Sequence, residues 1–303
     1  MTTMKPFKAE LLLLLVTMFW GSSYLFMKMG LDTLGEFNLI ALRFGLAFIL
    51  AAILFHKRMR SIDLRTLKYG ALLGFLLFGV FTCITFGLQT TTTSNAGFLV
   101  ALTVIFVPLI DVLVFRKKVS APQIFGAVMA IFGIGLLTLN SSLHIQPGDF
   151  LCILSAVFYA VQILVTGRAV KSCDSLNIGI LQLGFVAGYA LILSAIFETP
   201  TLPSTMPGWI SILALGILCS ACGFILQPVA QQFTSPARTG LIFSLEPVFA
   251  AFFGYLFAGE QLSLQGYAGA ALVMLGIVAS ELLGKMASAP LSHRALKKRR
   301  ADI

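Results

Sequence analysis

The sequence predicts an all-α polytopic membrane protein of ten transmembrane helices arranged as two inverted five-helix repeats. Three observations carry that expectation. First, 58% of the 303 residues are hydrophobic and 11% charged, with a mean hydropathy of +0.96, far from a soluble globular composition. Second, apolar segments of spanning length follow one another almost without remainder: 10–31, 36–55, 67–88, 94–115, 120–139, 149–167, 177–197, 209–229, 238–258 and 262–283. Third, lysine and arginine alternate in the joining loops. Lys5, Lys8, the cluster from His56 to Lys68, Arg116 to Lys118, Arg168, Lys171, Arg238 and the tail through Arg300 fall on one side. The opposite loops, near Asp32, Thr91, His144, Glu198 and Glu260, carry none. Positive charge gathers on the cytoplasmic side, so both termini are expected inside a cell inner membrane crossed many times.

The first segment, from Leu11 to Leu31, is too long for a signal-peptide core and is read as a retained helix. The short loops leave no room for a soluble domain. The expected organisation is a first repeat over 1–141, a second over 142–284 and a basic tail over 285–303. Five helices per half is an odd number, so the second half starts from the opposite side of the membrane. Such an inverted repeat typically places a substrate site near the midplane. Phe19, Trp20, Gly21, Ser22 and Ser23 in the first segment correspond to Phe158, Tyr159, Ala160, Val161 and Gln162 in the sixth. The glycine pairs Gly126 with Gly133 and Gly269 with Gly276 close the two halves, each pair near one helix face. Gly70 with Gly74 and Gly184 with Gly188 have the spacing that lets membrane helices approach closely.

The net charge of +9 lies mainly in the cytoplasmic loops and the HRALKKRR tail, which is read as a topology anchor on anionic headgroups; no nucleic-acid partner is expected. Five cysteines, an odd number mostly inside apolar runs, imply no disulfide framework, and Cys219 and Cys222 are read as small packing residues. His56, His144 and His293 sit in loops or the tail without metal-ligand spacing, and neither a nucleophile elbow nor a P-loop is present. No cofactor, metal or enzymatic activity is expected. A membrane-embedded enzyme acting on lipid and a non-transporting sensor are the rival classes. The first lacks clustered acids, bases and metal ligands, and the second lacks an output domain.

The intramembrane polar residues mark the candidate site. Glu246, followed by Pro247, lies deep in the stretch SPARTGLIFSLEPVFAAFFGYLFAGE, about 12 Å along the helix from Arg238 at 1.5 Å per residue. A carboxylate at that depth costs about 2.5–3.5 kcal/mol on insertion scales and normally faces a bundle interior or a wet cavity. Pro247 is expected to deprive the Phe243 carbonyl of its helical donor and so to add a second polar spot. Two readings of Glu246 stand open: a group that exchanges a proton, or a structural partner of Arg43 or Arg238. The related stretch from Ser94 to Phe115 carries Pro108. Arg43 is held either within the bundle, by a carboxylate or carbonyls, or by a carboxylate of the substrate. Asn95, Gln162 and Gln227, with Gln89 and Gln231, supply amides that bind a ligand or join helices. Trp20 and Tyr159 stack on an organic substrate or pack, and Ser22 and Ser23 leave space beside Trp20.

Taken together, MFWGSSYLFMKMGL, ALRFGLAF, SNAGFLVALTVIFVPL, SPARTGLIFSLEPVFAAFFGYLFAGEQLS and GAALVMLGIVASEL resemble the EamA-type exporters of the ten-helix drug/metabolite transporter superfamily over almost the whole chain. The resemblance implies alternating access through a central cavity and export of a small organic metabolite, such as an amino acid, an analogue or a drug-like solute, without a cofactor. The expected partners are that solute and the lipid bilayer, with the protein a monomer or homodimer. One departure is visible: FRKKVS follows the fourth segment where Gly259 and Glu260 follow the ninth.

Overall fold

The computed structural model describes residues 4–60, 62–115, 121–138, 146–243, 245–259, 261 and 263–288. All regular structure among them is helical: α1 (Pro6–Leu31), α2 (Glu36–Leu54), α3 (His56–Met59), α4 (Leu64–Gly87), α5 (Thr93–Val100), α6 (Thr103–Phe115), α7 (Ala121–Thr138), α8 (Pro147–Ala169), α9 (Ser175–Phe197), α10 (Met206–Leu213), a π-helical segment (Ala214–Cys222), α11 (Gly223–Gln231), α12 (Pro236–Phe243), α13 (Glu246–Ala258) and α14 (Leu264–Ser288). Among the described residues seven stretches are long and apolar enough to cross a membrane: Pro6–Leu31, Glu36–Leu54, Leu64–Gly87, Asn95–Leu113, Pro147–Ala169, Ser175–Phe197 and Met206–Gln231. Shorter apolar helices occupy Ile124–Gly133, Glu246–Phe257 and Leu264–Gly276, where the fifth, ninth and tenth spans were expected.

Two of the expected spans are not single helices. The fourth is α5 and α6 with a turn at Ala101 and Leu102, and the ninth is α12, ending at Phe243, and α13, beginning at Glu246, with Leu245 in a turn before it. Tight i to i+3 bonds close both turns, Leu102 N–H to Leu99 O (3.1 Å) and Leu245 N–H to Ile242 O (3.1 Å). This corrects the reading of Pro247, which stands at the second residue of a new helix, where a missing N–H is no loss. Pro108, by contrast, lies inside α6. The two prolines are therefore not equivalent. The pieces are: α5 and α12 have 8 residues each, and α6 and α13 have 13 each. In this register the counterpart of Glu246 is Thr103, a buried hydroxyl that donates to Val100 O at 2.6 Å.

Helix packing follows a paired plan. α4 packs on α8 and α9, while α10, the π-helical segment and α11 pack on α1 and, through the first two, on α2. α1 packs on α12 and α13, while α8 packs on α5 and α6. Across the centre α5 meets α13, α6 meets α12, α2 meets α9 and α7 meets α14. Gly126, Gly133, Gly269 and Gly276 are all buried on this last pair, as their spacing predicts. Close backbone approach is also real between α4 and α9: a Cβ on Gly70 or Gly74 would lie 2.6 Å from Leu181 Cβ or 2.5 Å from Phe185 Cβ. Gly188, in contrast, has nothing within 4 Å of its Cβ position.

The loops gather at two ends. At one, the Glu198 carboxylate caps α2 by accepting the N–H groups of Phe37 (2.9 Å) and Asn38 (2.8 Å), Gly148 N–H donates to Thr90 Oγ1 (2.9 Å), and Thr91 Oγ1 donates to the buried Asp149 (2.6 Å). At the other, Arg58 pairs with Asp174 (3.3 Å) and Arg238 with Glu10 (2.7 Å). Asp63 caps α4 there by accepting the N–H and hydroxyl of Thr66, bonds that hold its carboxyl below its ordinary range. α13 ends at Gly259, whose φ of 64° is the left-handed conformation glycine adopts without strain. The Arg116 to Lys118 group and Glu260 lie outside the described residues.

Candidate functional site

A stripe on α1, Trp20, Ser23, Tyr24 and Met27, has the spacing that puts side chains on one helix face. It closes on Val80, Phe81 and Ile84 of α4, Val100 of α5, Tyr159 of α8, Phe224 of α11 and Glu246 of α13 around a small cavity of about 20 Å³ lined by buried residues. Space of that size holds about one water. Both halves of the chain contribute walls, and the two helix interruptions border it at Val100 and Glu246.

Five of the eleven lining residues are aromatic, and Phe243 packs behind them. Trp20 lies 4.6 Å from Phe224, 4.8 Å from Phe243 and 5.9 Å from Tyr159, and Tyr159 stacks on Phe243 at 5.9 Å. Phe81 meets Phe224 edge-on at 5.6 Å. The indole is held by one directed bond, Trp20 Nε1–H to Cys219 O (2.8 Å), in the π-helical segment. It needs Gly223 beside it, since a Cβ there would lie 2.4 Å from Nε1. Glu246, 6% exposed, accepts a hydrogen bond from the Tyr24 hydroxyl at 2.7 Å. Of the two readings left open for Glu246, the structural one named Arg43 or Arg238 as its partner, and neither is bonded to it here. Arg238 engages Glu10 near the basic end, and Arg43 bonds elsewhere.

Arg43 is fully buried. Its Nε–H donates to Ser220 Oγ at 3.0 Å, and its guanidinium lies over the rings of Phe81 (4.5 Å) and Phe44 (4.9 Å). Nη1 and Nη2 have no hydrogen-bond partner among the described residues. Behind the cavity wall the amides form a chain: Gln227 Nε2 to Gln162 Oε1 (3.1 Å), Gln162 Nε2 to Gln182 Oε1 (3.2 Å), and Gln182 Nε2 to Phe224 O (2.8 Å). This chain fixes α8, α9 and α11 to one another and holds the backbone of a residue that lines the cavity.

Of the residues singled out in the sequence, Trp20, Ser23, Tyr159 and Glu246 line the cavity, and Arg43, Gln162 and Gln227 stand behind its wall. Ser22 does not join them. It lines a separate apolar crevice with Phe19, Lys28, Leu218 and Phe253, and its hydroxyl donates to Phe19 O (2.7 Å), because the next residue of a helix points about a quarter-turn away. Asn95 lies in the first turn of α5, where its N–H donates to Thr92 Oγ1, and Pro108 lies on α6; neither lines the cavity. Pro247 packs under Gly97 of α5. Tyr24, Phe81, Phe224 and Gln182 are the additions. Tyr24 was signalled by its position four residues after Trp20, and Gln182 by being a polar residue within the apolar run 177–197. Among the described residues no three of His, Cys, Asp and Glu converge as metal ligands.

The model of the EamA-like transporter family matches the chain twice, over residues 7–139 and 146–281. An uncharacterized transporter of Archaeoglobus fulgidus is 30% identical over 278 residues, covering 90% of this chain and 86% of its own. An uncharacterized transporter of Bacillus subtilis is 25% identical, covering 89% and 95%. A protein of Streptantibioticus cattleyicolor named a probable terminal-alkyne amino-acid exporter is 24% identical, covering 91% and 94%. A solved crystal structure, 18% identical, superposes with a TM-score of 0.73 over 93% of this chain and 99% of its own, which establishes the shared fold.

Proposed function

The chain belongs to the EamA-like transporter family, and on that premise we propose that it exports a small organic metabolite, an amino acid, analogue or drug-like solute, through the cavity that holds Glu246. The transport is outward across a cell inner membrane with both termini cytoplasmic. It proceeds by alternating access of two inverted repeats, 1–141 and 142–284, completing ten spans. The paired packing of α4 on α8 with α1 on α10 and α11, and the matching division of the fourth and ninth spans into pieces of 8 and 13 residues, support that reading.

The observation that carries the proposal is the small buried cavity with a carboxylate in its wall. At about 20 Å³ it is far smaller than the several hundred Å³ of a small-molecule site, so a solute enters only after the surrounding helices part. The Trp20 and Tyr159 rings then offer apolar faces to the solute. Glu246, relieved of or retaining the Tyr24 hydrogen bond, takes up or releases a proton as access changes.

Counterflow in proteoliposomes with amino acids, nucleosides and cationic drugs tests this, with Glu246→Gln measured beside the native protein. The expected result is native yield in the membrane with exchange slowed at least about 10-fold, the scale of one hydrogen bond to a charged group. Native yield, native rate and an unchanged pH dependence together would remove Glu246 from the mechanism. Exchange of none of the solutes, with turnover of a lipid instead, would replace transport by an enzymatic reading.

A further inference from the structure

We propose that Arg43 is the anion-binding residue of the transport site and that the exported solute carries a carboxylate, which the guanidinium receives once Phe81 swings aside. The inference rests on the transport reading above and names the chemistry of its substrate.

A lone buried cation is among the most costly arrangements in a folded chain, and it is normally compensated by a carboxylate. Arg43 has no such partner. Among the described residues no acidic side chain is bonded to it, and its compensation is one neutral hydroxyl, Ser220 Oγ, and two ring faces. The Nε–H is the donor that is used, so the two Nη nitrogens, both buried and unpartnered, remain as a fork. That fork matches the two oxygens of a carboxylate.

The location suits the role. Phe81 lines the central cavity and carries the guanidinium 4.5 Å from its ring centroid, so the ring stands between the cation and the space where a solute would lie. The residues that hold both sides of the site are consecutive: Ser220 accepts from Arg43, and Cys219 O accepts from Trp20, whose indole lines the cavity. One π-helical segment therefore fixes the cation and the aromatic wall relative to one another. Glu246 stands in the same wall, so a solute anchored by its carboxylate would present its remaining part to Trp20, Tyr159 and Glu246.

The test uses the full-length protein in proteoliposomes. Counterflow of radiolabelled alanine, phenylalanine and benzoate is compared with that of their methyl esters, and melting temperature in detergent is read with and without each compound. At least one carboxylate is expected to exchange and to raise the melting temperature, with its ester slower by about 100-fold or more, because the site's buried donors are then left unpaired. Arg43→Met is expected to melt at or above the native temperature, since an unpaired charge is replaced by an apolar chain of similar length. It should lose carboxylate exchange, and Arg43→Lys should retain part of it. Esters exchanging as fast as the acids in the native protein, native exchange by Arg43→Met, or exchange of neutral or cationic solutes alone would each overturn the proposal while leaving transport in place. Exchange of no solute at all would remove the transport reading beneath it. Should Arg43→Met fail to accumulate, the acid-against-ester comparison on the native protein decides.

Discussion

Substituting Gly21 by alanine should loosen the contact of α1 with α13, and the size of the effect follows from three distances. A Cβ built on Gly21 lies 2.4 Å from Phe249 Cβ, 2.9 Å from Ala250 N and 3.0 Å from Glu246 O. Carbon atoms pack at about 3.5–4.0 Å, so the helices must separate by roughly 1 Å, and two of the three obstacles are backbone that cannot turn away. Overpacking of this kind costs about 1–3 kcal/mol. Against it stands the gain of about 0.5–1 kcal/mol from replacing a helical glycine by alanine, leaving a net loss of up to about 2.5 kcal/mol. Two glycines calibrate the estimate. At Gly97 the added Cβ meets Ala250 Cβ at 3.0 Å and Pro247 Cα at 3.4 Å, so gain and loss nearly cancel. At Gly188 nothing lies within 4 Å, so the helical gain stands alone. Thermal unfolding of the purified protein in detergent should rank Gly188→Ala at or above native, Gly97→Ala near native and Gly21→Ala below. Transport should fall with Gly21→Ala as well, since the displaced helix begins with Glu246. If Gly21→Ala melts no lower than Gly188→Ala, α1 and α13 are not held at the described separation and the cavity wall is wrongly built.

Glu198→Ala should remove the cap from α2, whose preceding residue Gly35 has no side chain to replace it, lowering stability by about 0.5–2 kcal/mol in the same melting assay; unchanged melting would show that water satisfies these two amides equally well. For orientation, a reporter active only in the cytoplasm should be silent when fused after Ser141 and active after Ala289; the reverse pattern would overturn the placement of both termini.

The apolar segments were legible because membrane burial demands long uninterrupted hydrophobic runs, and Glu246 was legible because a charge inside such a run is costly. Trp20 and Tyr159 could be placed together from the correspondence of the first and sixth segments. The interruptions at Ala101 and at Leu245 were not legible, since both residues are compatible with a membrane helix and Pro108 and Pro247 drew attention to other positions. Glu246's partner was sought among arginines, the ordinary counter-ions, whereas the structure supplies a tyrosine hydroxyl from an otherwise apolar face. The sharing of roles between Ser22 and Ser23 was equally hidden: one step along a helix separates the cavity from the outer crevice, and composition does not report rotation.

A rod that is cut at its middle carries no bending moment from one end to the other. The fourth and ninth spans are cut in this way, and they cross so that α5 lies against α13 and α6 against α12. Each crossing consequently sets a piece of 8 residues beside one of 13. Each span can therefore change direction at its break, at Ala101–Leu102 in the fourth and at Leu245 in the ninth, without unwinding a helix.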